Sequence, residues 1–129
     1  MNEPKFLSVR QIENFHRRGL ELWGGSEGIR NRSLFKGAVA QAQNVYWYAQ
    51  GDLFDVAAAY CFHIAQAQAF LDGNKRTAVA AGLTFLRING VTVGSELSEM
   101  IYDAMIGIAK HELDRSGLAE LLRKHLINR

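Results

Sequence analysis

The chain has 129 residues, of which 48% are apolar and 22% charged, and a net charge of +2. These values are typical of one soluble globular domain over residues 1–129, and the charge gives no argument for binding nucleic acid or an anionic membrane. The most apolar stretch, residues 77–86, has about half the length that a membrane span needs, and no signal peptide is visible. The single cysteine, Cys61, excludes an internal disulfide and is expected to be a buried thiol of a cytoplasmic protein.

The first part of the chain is predicted to contain two helices and a flap. Ser8 can cap the first helix, and Gly24-Gly25 can end it. Apolar spacing predicts the second helix over about residues 33–42. Residues 43–50 include Val-Tyr-Trp-Tyr, the only composition that suits extended backbone, and we predict an irregular or hairpin-like flap there.

The rest of the chain is predicted to form four further helices. The first of these, opened by Gly51 or Asp52, runs to about residue 69, and the next covers about residues 74–88. The latter is almost wholly apolar, so we expect it at the centre of the molecule. Two last helices, about residues 95–111 and 116–126, complete an all-α fold, since no periodicity typical of a sheet is present.

Polar residues crowd the start of the central helix, where residues 70–77 read Phe-Leu-Asp-Gly-Asn-Lys-Arg-Thr. The first amides of a helix have no partner inside it and carry partial positive charge. Gly73 lets a phosphate approach this backbone, while Lys75 and Arg76 add cationic donors. Asp72 offers the oxygen ligands that Mg²⁺ prefers. The segment therefore predicts a site for a phosphate and its metal ion.

A purely structural interpretation of the same segment is also open. Asp72 or Asn74 could cap the helix, with Lys75 and Arg76 solvated in its first turn. Cations in a first turn oppose the helix dipole, however, at about 0.3–1 kcal/mol each. Two consecutive cations favour an anionic ligand.

The motif Phe-Leu-Asp-Gly-Asn-Lys-Arg resembles the core of the Fic/Doc family motif, and Lys75 resembles its Doc (death-on-curing) toxin branch. The likeness extends to residues 28–39, 52–66 and 85–90. It implies a compact Fic/Doc-type helical bundle around the helix at about 74–88. It also implies that Asp72 binds Mg²⁺, and that nucleotide phosphates are bound by Gly73, Asn74 and Arg76. Lys75 would adjust how the nucleotide lies.

The resemblance further implies a toxin that transfers a phosphoryl or nucleotidyl group from ATP to a protein hydroxyl. The implied target is a threonine of elongation factor Tu, and the implied partner is a Phd-type antitoxin whose tail folds into a groove on the toxin. In such proteins, the segment that corresponds to Tyr46, Trp47 and Tyr48 tends to grip the target backbone. Aromatic residues packed under a loop are the alternative for these three.

The chain departs from the family pattern at the general base. The family has a histidine two residues before the motif phenylalanine, and this chain has Gln68, between Ala67 and Ala69. Gln68 ends a helical stripe that begins at Ala57 and includes Cys61. A carboxamide can orient a hydroxyl but has no useful basicity, so about 10²–10⁴-fold in rate is expected to be lost.

The four histidines offer no visible replacement for this base. His63 lies about 140° around its helix from position 68 and is expected to be packed or capping. His16, His111 and His125 have no evident relation to the motif and are predicted as surface or helix-end residues. Two alternatives to an active transferase follow: a catalytically silent Fic/Doc module that binds a nucleotide or an antitoxin peptide, and a plain helical interaction domain.

Overall fold

The computed structural model describes residues 3–127 and contains six α-helices. They are α1 (Val9–Trp23), α2 (Arg32–Ala49), α3 (Leu53–Ala67), α4 (Asn74–Ile88), α5 (Ser95–Ala109) and α6 (Arg115–Ile127). Within residues 3–127 there is no strand, only an isolated bridge between Ile29 and Phe70, which confirms the all-α class. No helix in this part of the chain combines the length and the apolar composition needed to cross a bilayer.

Helices α3 and α4 form the centre of the bundle. As predicted, α4 is buried along most of its length after Arg76, and its most extensive packing is against α3. The two helices pack closely because Gly82 of α4 lies against Ala57 and Cys61 of α3. Cys61 is fully buried, and this desolvation raises the pKa of its thiol to about 12. The predicted buried thiol is thereby confirmed.

Capping residues determine where α1 and α3 begin. Ser8 Oγ accepts the Gln11 N–H at 3.1 Å, and Gln11 Oε1 accepts the Ser8 N–H at 2.7 Å. The same reciprocal pair, at 2.9 Å in both directions, joins Asp52 and Asp55 at the start of α3. Such capping boxes satisfy backbone donors that a helix leaves unpaired. At its other end α1 stops at Gly24, as its left-handed φ of 81° requires.

The predicted flap at residues 43–50 is wrong, because α2 continues without a break to Ala49. Its buried residues Phe35, Val39, Ala42 and Val45 recur at helical spacing, so the apolar face of the helix runs through the supposed flap. The strand preference of Val-Tyr-Trp-Tyr is weak beside this burial. Two other helix ends also differ from expectation, since α3 stops at Ala67 and α5 at Ala109.

The close contact of α3 and α4 yields a stability prediction. A Cβ added at Gly82 would collide with Cys61 Sγ and lie 3.2 Å from the Ala57 carbonyl oxygen. Overpacking of this kind costs about 1–3 kcal/mol, so we expect Gly82→Ala to lower the free energy of unfolding by that amount in urea titrations.

Gly37 of α2 provides the matched control, because nothing lies within 4 Å of a Cβ added there. Gly37→Ala should keep or raise the free energy of unfolding, by up to about 1 kcal/mol, since alanine favours helix. Equal stability of the two variants would contradict the packing described.

Candidate functional site

The loop between α3 and α4, which carries the first half of the motif, is held by the loop between α1 and α2. Leu71 N–H donates to the Gly28 carbonyl at 3.1 Å. The Ala69 carbonyl accepts the amides of Arg30 at 2.5 Å and Asn31 at 3.1 Å. The segment at residues 28–31, which lies between the predicted first and second helices, therefore fixes the backbone that leads into α4.

The Asn74 side chain makes two hydrogen bonds to the backbone of the same loop. Its Oδ1 accepts the Phe70 N–H and its Nδ2 donates to the Phe70 carbonyl, both at 3.0 Å. The carboxamide is thus engaged by the protein, and the group of Asn74 that remains for a phosphate is its backbone amide. The predicted phosphate contact of Asn74 is therefore limited to its backbone amide.

His16 of α1 is buried against the loop between α3 and α4, contrary to its prediction as a surface or helix-end residue. Its ring is only 7% exposed and stacks on Phe70 with centroids 3.8 Å apart. Its Nε2 lies 2.8 Å from the Asp72 carbonyl oxygen, a contact that requires Nε2 to carry a proton and donate. The sequence holds a signal for this, since His16 falls between Ile12 and Gly19 on the buried stripe of α1.

The Asp72 carboxylate lies between the two loops. Its Oδ1 accepts the Gly73 N–H at 2.9 Å and its Oδ2 accepts the Ser26 N–H at 3.2 Å. Gly25 allows this approach, because a Cβ there would lie 2.7 Å from Oδ2. Each carboxylate oxygen can accept more than one partner, so Asp72 can still bind a cation.

The Asp72 carboxylate can supply one of the several ligands that the predicted Mg²⁺ needs. Among residues 3–127 no three His, Cys, Asp or Glu side chains cluster as metal ligands. Asp72 would therefore be a single protein ligand, and the phosphates of a nucleotide would have to supply others. That is a common arrangement for Mg²⁺, which keeps several waters and is often held by one carboxylate and substrate phosphates.

Arg76 contacts the end of α1. Its Nη2 donates to the Gly24 carbonyl at 3.0 Å, and its guanidinium carbon lies 5.8 Å from the centre of the Trp23 ring. A cation is favourable at the C-terminal end of a helix, so α1 offsets the unfavourable position of Arg76 in α4. The dipole argument for an anion consequently rests on Lys75, which is exposed.

The start of α4 opens into a cleft of about 790 Å³. Three walls enclose it: the end of α3, the motif, and the last turns of α5 with the residues that follow. The structure brings these predicted site residues together on it: Gln68, Asp72, Gly73, Asn74, Lys75 and Arg76. The first hydrogen bond of the helix runs from Thr77 N–H to the Gly73 carbonyl at 3.0 Å, so the amides of residues 74–76 precede the helical ladder.

Gln68 occupies a left-handed backbone conformation on this cleft. It follows the last residue of α3 with φ 46° and ψ 44°, and its side chain is exposed. Non-glycine residues adopt this region at some energetic cost, and such strain is frequent at functional sites.

The aromatic residues predicted to grip a target lie at the other end of the bundle. Phe6 contacts both Tyr46 and Trp47, with ring centroids 5.8 and 6.3 Å apart, and also contacts Phe85 at 6.3 Å. Phe85 lies in the last turn of α4, about 16 Å along the helix from Asn74. Tyr46 to Tyr48 do not line the cleft. They belong to α2 and not to a flap, and with Trp47 and Tyr48 exposed, their binding of a protein target stays a prediction.

His63 and His111 lie in different surroundings. His63 Nε2 lies 3.3 Å from Arg115 Nη1, and burial, followed by the charge of Arg115, lowers the pKa of His63. This confirms it as a packed residue. His111, which follows α5, lines the cleft, a position that sequence reasoning missed because it depends on how α5 packs.

The model of the Fic/DOC family matches residues 6–86, which include the motif and the loop that holds it. The chain belongs to the Fic/Doc family. It is 31% identical over 121 residues to the protein kinase doc of Escherichia phage P1, an alignment that covers 93% of the chain and 94% of that protein. It is 39% identical over 100 residues to the toxin Doc of Mycolicibacterium smegmatis, which covers 75% and 77% of the two chains.

The support that His16 gives to the Fic/Doc motif can be tested by substitution. His16→Leu removes the donor and leaves the part-buried Asp72 carbonyl without it, so we expect the free energy of unfolding to fall by about 1 kcal/mol. His16→Gln places an amide nitrogen near the position of Nε2 and should recover part of that loss. Urea unfolding of both variants measures the difference, and equal values would show that the hydrogen bond contributes nothing.

Proposed function

We propose that this chain is the Doc-type toxin of a toxin–antitoxin pair, and that it transfers a phosphoryl or nucleotidyl group from ATP to a protein hydroxyl. Two Doc relatives support the proposal, one named a protein kinase and the other a toxin. The observation that carries it is the start of α4, which presents the amides of residues 74–76 to the cleft beside Asp72 and Lys75.

The cleft suits a nucleotide in size and charge. Small-molecule sites usually enclose about 300–1,000 Å³, and this cleft has about 790 Å³. Backbone amides at a helix start and the ammonium of Lys75 are groups that bind phosphate. Asp72 would hold Mg²⁺, which neutralises charge on the phosphate oxygens when bound. Gly73 gives the phosphates access to the backbone, because it carries no side chain.

In the proposed reaction the chain mainly binds and orients the reactants. The fixed amides of residues 74–76 and Lys75 would stabilise the charge that develops during transfer, without reorganisation at that moment. Gln68 would accept a hydrogen bond from the target hydroxyl, or donate one to it, and so orient it. It would not take the proton. We expect the rate to be lower than that of a histidine-containing relative by about 10²–10⁴-fold.

The proposed protein target is elongation factor Tu, and the proposed partner is a Phd-type antitoxin. A groove of about 250 Å³ between α1, α4 and α5 offers an antitoxin peptide an apolar surface that includes Phe15, Leu83 and Tyr102. Trp23 borders this groove and is 68% exposed. Exposed apolar surface of this kind is typical of binding sites. Both partners are cytoplasmic, and we propose the same location for this chain.

One observation favours a second function, that of a silent module. The carboxamide of Gln68 stands at the general-base position, and an intact phosphate site can bind ATP without catalysing transfer. In that case the chain would act by association with a nucleotide or an antitoxin.

The phosphate site predicts that ATP binding depends on Lys75. Lys75→Gln removes a charge-assisted contact and should weaken ATP binding in the presence of Mg²⁺ about tenfold by isothermal titration calorimetry. Lys36→Gln is the matched control, because Lys36 is also exposed but lies outside the cleft. Equal affinities of the two variants, or no binding of ATP at millimolar concentration, would remove the nucleotide site.

Restoring an imidazole at position 68 tests the transferase. Purified elongation factor Tu is incubated with ATP labelled in the γ- or α-phosphate, and label on the protein is counted. We expect slow labelling by the unmodified chain and about 10²-fold faster labelling by Gln68→His.

The pattern of labelling then decides between the candidate functions. Labelling only by Gln68→His means that the natural chain is a silent module. Absence of label with both proteins, while ATP still binds, excludes elongation factor Tu as the target. Label from the γ-phosphate means phosphoryl transfer, and label from the α-phosphate means nucleotidyl transfer.

A further inference from the structure

We propose that His111 is the general base of this chain, and that it takes the hydroxyl proton for which Gln68 has no basicity. The inference rests on the proposed function, since it concerns the same cleft and the same transfer. It adds a catalytic residue from α5 and its following turn, a part of the chain outside the motif.

The positions of the other histidines exclude them from this role. His16 is buried, and its Nε2 is committed to the Asp72 carbonyl. His63 packs against Arg115 on another side of α3. His125 lies in the last turn of α6 and does not line the cleft. Of the four histidines, all within the described residues, His111 alone lines the cleft that also contains Gln68 and Asp72.

The turn that carries His111 is held in place by backbone hydrogen bonds. His111 N–H donates to the Ile108 carbonyl at 3.1 Å, and the Gly107 carbonyl accepts the amides of Glu112 at 2.8 Å and Leu113 at 3.2 Å. The imidazole is exposed to the cleft, so it is open to an incoming hydroxyl. A proton acceptor on a fixed turn can be positioned, as general base catalysis requires.

His111 and Gln68 share an uncommon backbone conformation. Three non-glycine residues of the described chain have positive φ, and two of them, Gln68 at 46° and His111 at 61°, line this one cleft. They belong to different walls, one after α3 and the other after α5. A left-handed residue commonly ends a helix, so the ends of α3 and α5 meet at this cleft and place Gln68 and His111 on it.

The proposed step conserves atoms and charge. The hydroxyl oxygen of the protein target forms a bond to the phosphorus of ATP, and the bond from that phosphorus to the leaving oxygen breaks. The hydroxyl proton moves to a ring nitrogen of neutral His111, which becomes imidazolium. ADP leaves after phosphoryl transfer, or pyrophosphate after nucleotidyl transfer. Gln68 orients the hydroxyl in this step.

The test combines His111→Gln with both residues at position 68. In the unmodified background, His111→Gln should lower the labelling of elongation factor Tu by about 10²-fold or more. In the Gln68→His background, the restored imidazole takes the proton, and His111→Gln should change the rate by less than about threefold. A merely structural role would lower the rate equally in both backgrounds, which would overturn the proposal.

Controls separate catalysis from binding and folding. ATP affinity by calorimetry should be the same with and without His111→Gln, and His125→Gln should leave labelling unchanged. His111→Gly removes the imidazole and relieves the left-handed strain, so it should be inactive yet at least as stable to heat. A variant without an imidazole at position 111 that labels at the unmodified rate would overturn the proposal.

Release of labelled phosphate or pyrophosphate from ATP, with water as acceptor, gives a readout independent of the protein target. Loss of this turnover in His111→Gln supports the proposal even if elongation factor Tu is not the target. If the unmodified chain binds ATP but neither labels nor hydrolyses, while Gln68→His does, His111 is not a base and the phosphate site stands. If ATP does not bind, both the proposed function and this inference fail.

Discussion

The backbone pairing between residues 28–31 and 69–71 is the constraint on which the candidate site depends. The loop before α4 is not helical, so its amides and carbonyls need partners outside a helix, and the loop after α1 supplies them. Asn74 and His16 satisfy further groups of the same loop. With the loop held on these sides, the first turn of α4 faces the cleft in a fixed direction. A rigid, preorganised start of a helix is what phosphate binding and charge stabilisation require.

The charges around this helix start have distinct tasks. Arg76 donates to the Gly24 carbonyl at the end of α1 and lies near the Trp23 ring, so it connects α4 with α1. The Asp72 carboxylate accepts amides from both loops and remains able to bind a cation. Lys75 is exposed in the first turn of α4, where an anion would offset its unfavourable interaction with the helix dipole. Arg76 therefore has protein contacts as well as a place on the cleft, whereas Lys75 is exposed, and the binding of phosphate by both stays a prediction.

Local signals predicted the elements that depend on local chemistry. These signals involve only residues that are close in sequence: the cap at Ser8, the helix end at Gly24 and the apolar composition of residues 77–86. The structure confirms all three. Residues 43–50 were misread because strand preference is local, whereas the burial of Val45 depends on the packing of α2 against α3. His111 could not be assigned to the cleft for a similar reason, since only the packing of α5 brings it there.

The resemblance places Gln68 where the family motif has a histidine, so under the proposed function the tasks of that histidine are divided between residues while the helical fold is kept. Gln68 lies on the cleft as the left-handed residue that ends α3. A carboxamide can orient a hydroxyl in two ways, as donor and as acceptor, but proton removal needs another group. In the proposed transfer, Gln68 on one wall of the cleft orients the hydroxyl and His111 on another wall takes its proton, two tasks that a histidine at position 68 would combine.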